Sequence, residues 1–221
     1  MSWHHRISPS AADRWMACPG SPNLLDTVPR RPSGPAALEG TRAHAIRERM
    51  LTGQVITIMN DGEEAYAMSL LLKRGVNYLL GLGGQRLIEH RFSLDPWIPG
   101  GSGTSDAVVH RGAATLVNDL KYGVQPVQAK DNKQLMIYAL GAMRPGTRTV
   151  TLQIDAPRAV SSQHSISRED LLDFGSTVAR AAIATESKDA PRIAGDKQCQ
   201  WCDARTVCPE YATTLMTGFD S

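Results

Sequence analysis

The residues Gly103-Thr-Ser-Asp106-Ala-Val-Val-His110, then Arg111-Gly112, then Ala113-Ala-Thr-Leu-Val-Asn-Asp119-Leu-Lys121 decide how this chain folds. β-Branched and apolar residues crowd both arms and a glycine-containing pair separates them, the pattern of a β-hairpin. Each arm carries one acid in an apolar setting, Asp106 on the first and Asp119 on the second. Lys121 follows Asp119 by two, and residues two apart in a strand share a face. Asp-x-Lys alone is a common solvated pair. With Asp106 beside it, the set offers oxygen ligands for Mg²⁺ or Mn²⁺ and a cation next to a bound water, as metal-assisted phosphodiester hydrolysis requires.

Upstream, Pro35 opens a helix that runs to about Thr52, with Gly53 in the place of a C-terminal glycine. Ala37, Leu38, Ala45, Ile46 and Met50 are its candidates for burial, and His44 lies inside it. Gly40 sits one turn before His44, where a missing side chain lets a backbone or a substrate come close. Asn60-Asp61-Gly62-Glu63-Glu64 then caps a second helix, whose stripe is Ala65, Met68, Leu71, Leu72, Val76 and Leu79. Gln85 to Leu94 alternates as a strand carrying Glu89, a possible additional acid.

Downstream of Lys121, residues 128–143 read as a helix that puts Gln134 and Tyr138 at i and i+4 on one face. Arg148 to Ala156 alternates as a strand, and Ser167-Arg-Glu-Asp170 starts a last long helix with a box-like cap. Ahead of all this, Ser8 and Pro9 suit the N-cap and first position of a short helix, and Thr27 to Pro35 reads as a loop. The order of elements fits an α/β fold, a mixed sheet flanked by helices.

The 221 residues suit a single domain spanning 1–221. With 24 basic against 22 acidic residues the net charge is +2, which excludes a global field drawing in nucleic acid, so any such contact is local. Arg42, Arg47, Arg49, Lys130 and Lys133 flank the motif helices and are candidates to line a groove. No apolar run reaches membrane-spanning length, and Met-Ser-Trp-His-His-Arg lacks a secretion-signal pattern, so a soluble, cytoplasmic chain with no membrane partner is expected.

Four cysteines in such a chain point to metal or redox chemistry rather than disulfides. Cys199, Cys202 and Cys208 form C-x2-C-x5-C with Pro209 after the third, and Cys18, also followed by proline, supplies a fourth thiolate. Four thiolates suit tetrahedral zinc or a 4Fe-4S cluster. One distant cysteine with a compact trio favours the cluster, with Zn²⁺ the alternative. Either would clamp the N-terminal segment to residues 199–208.

Taken together, Gly40-Thr-Arg-Ala-His44, Gly103-Thr-Ser-Asp106, Asp119-Leu-Lys121 and Gln134-Leu-Met-Ile-Tyr138, framed by Cys18 and the C-terminal cysteine trio, resemble the RecB-like branch of the PD-(D/E)XK nuclease superfamily, from about residue 8 to 210. The opening Ser8-Pro-Ser-Ala-Ala-Asp-Arg-Trp15-Met-Ala-Cys18-Pro-Gly-Ser21 is similar to the start of phage and prophage nucleases of this branch and of exonucleases attached to CRISPR adaptation.

The resemblance implies a restriction-endonuclease-like mixed sheet and a Mg²⁺- or Mn²⁺-dependent deoxyribonuclease, an exonuclease on single-stranded or end-containing DNA. It implies that His44, Asp106, Asp119 and the carbonyl of Leu120 ligate the ion, and that Lys121 steers or activates the water. Gln134 and Tyr138 would orient Lys121 and contact the DNA backbone. Asp119 stands where many members carry Glu, one methylene longer. Phage recombination or replication proteins are the implied partners, in a bacterial or phage-infected cell. A catalytically inactive nucleic-acid-binding or assembly module that keeps the fold and the clamp is the alternative.

Overall fold

The computed structural model describes residues 6–217. Residues 1–5, read above for a secretion signal, and 218–221 lie outside them. The chain divides into two compact units, one of Met1–Pro32, Ser93–Gly103 and Leu172–Ser221, the other of Ser33–Phe92 and Thr104–Leu171. In chain order the helices are α1 (Ala12–Ala17), α2 (Ser21–Leu25), α3 (Pro35–Leu51), α4 (Ile58–Asp61), α5 (Glu63–Gly81), α6 (Lys133–Ala142), α7 (Arg168–Ala184), α8 (Asp196–Gln200) and α9 (Pro209–Thr217). The strands are β1 (Gln85–Ser93), β2 (Ser102–Arg111), β3 (Ala114–Leu120), β4 (Thr149–Asp155) and β5 (Ser162–Ser167). Among the described residues no helix is long and apolar enough to cross a membrane.

The second unit is built on a five-stranded mixed sheet in the order β1-β2-β3-β4-β5. The 103–121 hairpin supplies its centre: β2 and β3 pair antiparallel, with Ala107 opposite Asn118 and Val109 opposite Leu116. Gly112, at φ +55°, makes the turn in a backbone region that costs a side chain energy. β3 pairs parallel with β4, so the chain crosses over through α6 between them, and β4 pairs antiparallel with β5. β5 has a half-exposed pattern, and its sequence, Ser-Gln-His-Ser-Ile-Ser, carries too little apolar signal to be read as a strand.

The pleat sorts the helices. Ala107, Val109 and Leu120 join Ala43, Ile46 and Leu51 of α3 and Met68, Leu72, Val76 and Leu79 of α5 in one apolar cluster. α6 packs on β3 and β4 and is buried nearly all round, which is why its pattern reads as uniformly apolar. The buried stripe of α3 is Ala43, Ile46, Arg47 and Leu51, whereas Leu38 is 55% exposed. A stripe that includes an arginine is invisible to an apolar period, so the apolar pattern points to a face a step away.

Caps differ in detail from expectation. Ser8 occupies the N-cap position of a 3₁₀ turn, Pro9–Ala11, but its side chain does not cap. Its carbonyl instead accepts the Trp15 indole N–H at 2.9 Å. Thr57 caps α4, and Glu63 and Glu64 begin α5. Ser167 Oγ accepts the Asp170 N–H at 3.0 Å, the box expected for α7.

Candidate active site

α3 carries His44 and Arg47 three residues apart, on adjacent positions of one side of the helix. β2 places Asp106 one residue before Ala107, the first position it pairs with β3. The Asp106 carboxylate accepts the Leu120 N–H at 2.7 Å. His44 Nδ1 lies 3.3 Å from the same oxygen, Oδ2. One ligand atom each from His44, Glu89 and Asp106 lie within 4.8 Å of one another, a possible site for a divalent cation.

Glu89 enters this cluster through an unusual backbone. Its φ is +45° in the middle of β1, a left-handed conformation that costs a non-glycine residue about 1 kcal/mol or more and that must be held by its surroundings. Burial, and after it the charge of Asp106, pushes the Glu89 carboxyl up to about 7. Asp106 goes the other way: burial would raise it, but the His44 hydrogen bond and charge, the Leu120 N–H and Arg47 hold it below the usual carboxylate range. For His44, burial disfavours the charged ring, and Asp106, with Asp119 and Glu89, outweighs it and carries the imidazole above its ordinary value. Charges crowded in this way are relieved by a bound cation.

Beside it lies a second group, on the face of β3 that meets α6. Lys121 Nζ stands 2.8 Å from Asp119 Oδ2 and donates to Gln134 Oε1 at 2.9 Å. The Gln134 amide donates to Asp119 Oδ1 at 3.1 Å and to the Tyr138 hydroxyl at 3.2 Å. Asn132 caps α6 by accepting the Leu135 N–H, which fixes where Gln134 falls. Asp119 is buried, and burial, then the charge of Asp106, raises its carboxyl. Burial also pushes the Tyr138 hydroxyl up to about 12, so it stays neutral where it accepts the Gln134 amide.

Arg47 is 1% exposed and underlies the first of these groups. It reaches Asp106 Oδ2 and Asp155 Oδ2, each at 3.5 Å, and the side-chain oxygen of Asn118. Gly75 of α5 lets Asp155 fit: a Cβ there would collide with its carboxylate.

In the first unit, Cys18, Cys199 and Cys202 are buried and Cys208 is partly so; all four are free thiols lining one cavity. Cys18 Sγ accepts the Ile193 N–H at 3.2 Å and Cys199 Sγ the Gly195 N–H at 3.4 Å. Burial raises the Cys18 and Cys208 thiols. Arg31 donates to the Cys202 carbonyl and pairs with Asp203. The four sulfurs thus line one cavity, and two of them accept backbone N–H groups.

A family model matches residues 4–75 and 82–219. The chain belongs to the DUF2800 family, described as "protein of unknown function". Among solved structures the DUF2800 chain is similar to SSO0001, with 16% identity over 95% of this chain and 88% of that one and a TM-score of 0.46. It is also similar to the alkaline exonuclease LHK-Exo of Laribacter hongkongensis, with 16% identity over 78% of this chain and 89% of that one and a TM-score of 0.35.

Of the residues singled out in this DUF2800 sequence, His44 and Asp106 meet with Glu89 in the candidate cation cluster, and Asp119, Lys121, Gln134 and Tyr138 in the adjoining network. Gly40 faces open space: apart from its own turn of helix, no atom of the described residues lies within 4 Å of where its Cβ would be. The expected basic groove is altered. Arg47 is buried and cannot line a groove, while Arg42 pairs with Glu64 and Arg49 with Asp61 at the surface. The sequence offers Arg47 only as a groove-lining charge and does not single out Asn118 or Asp155; the available signal is an arginine on the sheet-facing side of a motif helix.

Proposed function

We propose that this chain is a divalent-metal-dependent deoxyribonuclease of the RecB-like PD-(D/E)XK type, residues 1–221 acting as one nuclease domain. The observation that carries the proposal is the convergence of His44, Glu89 and Asp106 ligand atoms within 4.8 Å, beside a lysine held 2.8 Å from Asp119. His44, Glu89, Asp106 and Asp119, with the Leu120 carbonyl, would hold the ion. When bound, Mg²⁺ or Mn²⁺ would supply Lewis acidity at the scissile phosphate and a water acidic enough to attack at neutral pH. Lys121 places positive charge where the phosphorane-like transition state is most negative, and Gln134 keeps that ammonium on the Asp119 side. Tyr138 holds the Gln134 amide in register.

Because these groups address a phosphodiester and no base edge, the substrate is DNA without sequence preference, single-stranded or with free ends, degraded as by an exonuclease. The four cysteines would hold a 4Fe-4S cluster, or zinc in its place, that would tie Cys18 to Cys199–Cys208. The test is Mn²⁺-dependent release of nucleotides from end-labelled single-stranded DNA by the wild type and by Asp119→Ala. Release by the wild type alone is expected. Equal signals from both proteins refute the enzyme and leave a binding or assembly module.

A further inference from the structure

A buried guanidinium is expensive unless its charge is used. Arg47 takes its partners from three strands: Asp106 of β2, Asn118 of β3 and Asp155 of β4. Asp106 does not depend on it for orientation. The Leu120 N–H already fixes Oδ2 at 2.7 Å, whereas Arg47 stands at 3.5 Å, long for a charge-assisted hydrogen bond. Charge, not geometry, is what the arginine adds to that carboxylate.

Resting on the cation-site reading above, we propose that Arg47 is a built-in counter-cation behind Asp106, a positioning residue that acts through that carboxylate and holds the divalent-ion affinity of the His44–Glu89–Asp106 set below what those donors alone would give. Two cations then compete for one carboxylate in a setting where charge is poorly screened. Asp155, equally distant from the guanidinium on its other side, draws it back and sets how hard it competes. The outcome is an exchangeable ion whose occupancy rises when a substrate phosphate brings further negative charge.

The sign of the effect makes this testable without turnover. Binding of Mn²⁺ to the full chain, in the absence of DNA, is followed by the electron paramagnetic resonance signal of free Mn²⁺. Arg47→Met is expected to bind Mn²⁺ at least about threefold more tightly than wild type, and Arg47→Lys within about twofold of it. Asp155→Asn, which leaves the guanidinium to Asp106 alone, is expected to bind at least about threefold more weakly. A scaffolding role predicts the opposite sign for Arg47→Met, so equal or weaker binding by that variant in a folded state overturns the proposal. If Arg47→Met does not fold, Asp155→Asn decides: weaker binding supports the proposal, and unchanged or tighter binding overturns it. Absence of Mn²⁺ binding by the wild type, or undiminished binding by Asp106→Asn, removes the cation site itself and this inference with it.

Discussion

Replacing Glu89 by glutamine in the metal-free protein isolates the electrostatic load of the candidate cation site. Burial and the Asp106 charge lift this carboxyl from an ordinary 4.5 to about 7. A raised folded-state value means that the native protein holds the proton more tightly than the unfolded chain. Stability is therefore intact below pH 4.5, is lost as pH rises from 4.5 to 7, and stays at the lower level above 7. For a fully buried group that lift is worth about 3 kcal/mol; Glu89 is only half-buried, and solvent screening reduces it to about 1–2 kcal/mol.

Glutamine keeps the shape and removes the charge. Glu89→Gln is thus expected to equal wild type at pH 4.5 and to exceed it by about 1–2 kcal/mol at pH 8, which for a chain of this size is roughly 3–6 °C in melting temperature. Urea and thermal unfolding with EDTA at the two pH values measure it. Mg²⁺ should close the gap at pH 8, because the ion compensates the charge that glutamine lacks. A stability difference that is the same at both pH values refutes the reasoning, since it ties the effect to packing at the φ +45° backbone and not to the carboxylate.

Three further outcomes follow from the contacts. Gln134→Ala removes the group that holds Lys121 and Asp119 together, so nuclease turnover should fall about 10- to 100-fold while the melting temperature stays near wild type; single-turnover assays and calorimetry check the two halves. Gly75→Ala drives a methyl into the Asp155 carboxylate and should cost about 1–3 kcal/mol of stability in urea unfolding. Anaerobically purified protein should be brown and contain iron and sulfide, and Cys199→Ser should lose both; a colourless protein with bound zinc would put zinc in place of the cluster.

The hairpin, the motif helices α3 and α6, and the sharing of a face by Asp119 and Lys121 were legible because each rests on a short-range period. A strand alternates every two residues and a helix returns every three to four, so neighbours along the chain determine who stands beside whom. β5 was not legible because its Ser-Gln-His-Ser-Ile-Ser run pairs through backbone groups that every residue carries. Glu89 was read as a possible acid on a neighbouring strand, but nothing local announces its left-handed backbone or its approach to His44 and Asp106.

By itself the sequence determined which chemistry-bearing side chains exist and which elements carry them: His44 on a helix, Asp106, Asp119 and Lys121 on a hairpin, Gln134 and Tyr138 a turn apart, four cysteines at the two ends. Only the tertiary structure decided how their charges are shared. Whether an arginine is a solvated surface charge or a buried counter-ion depends on what the sheet packs against it, and Arg47 is buried because Asp106, Asn118 and Asp155, from three different strands, converge beneath α3. That convergence is a long-range electrostatic fact, and no local period records it.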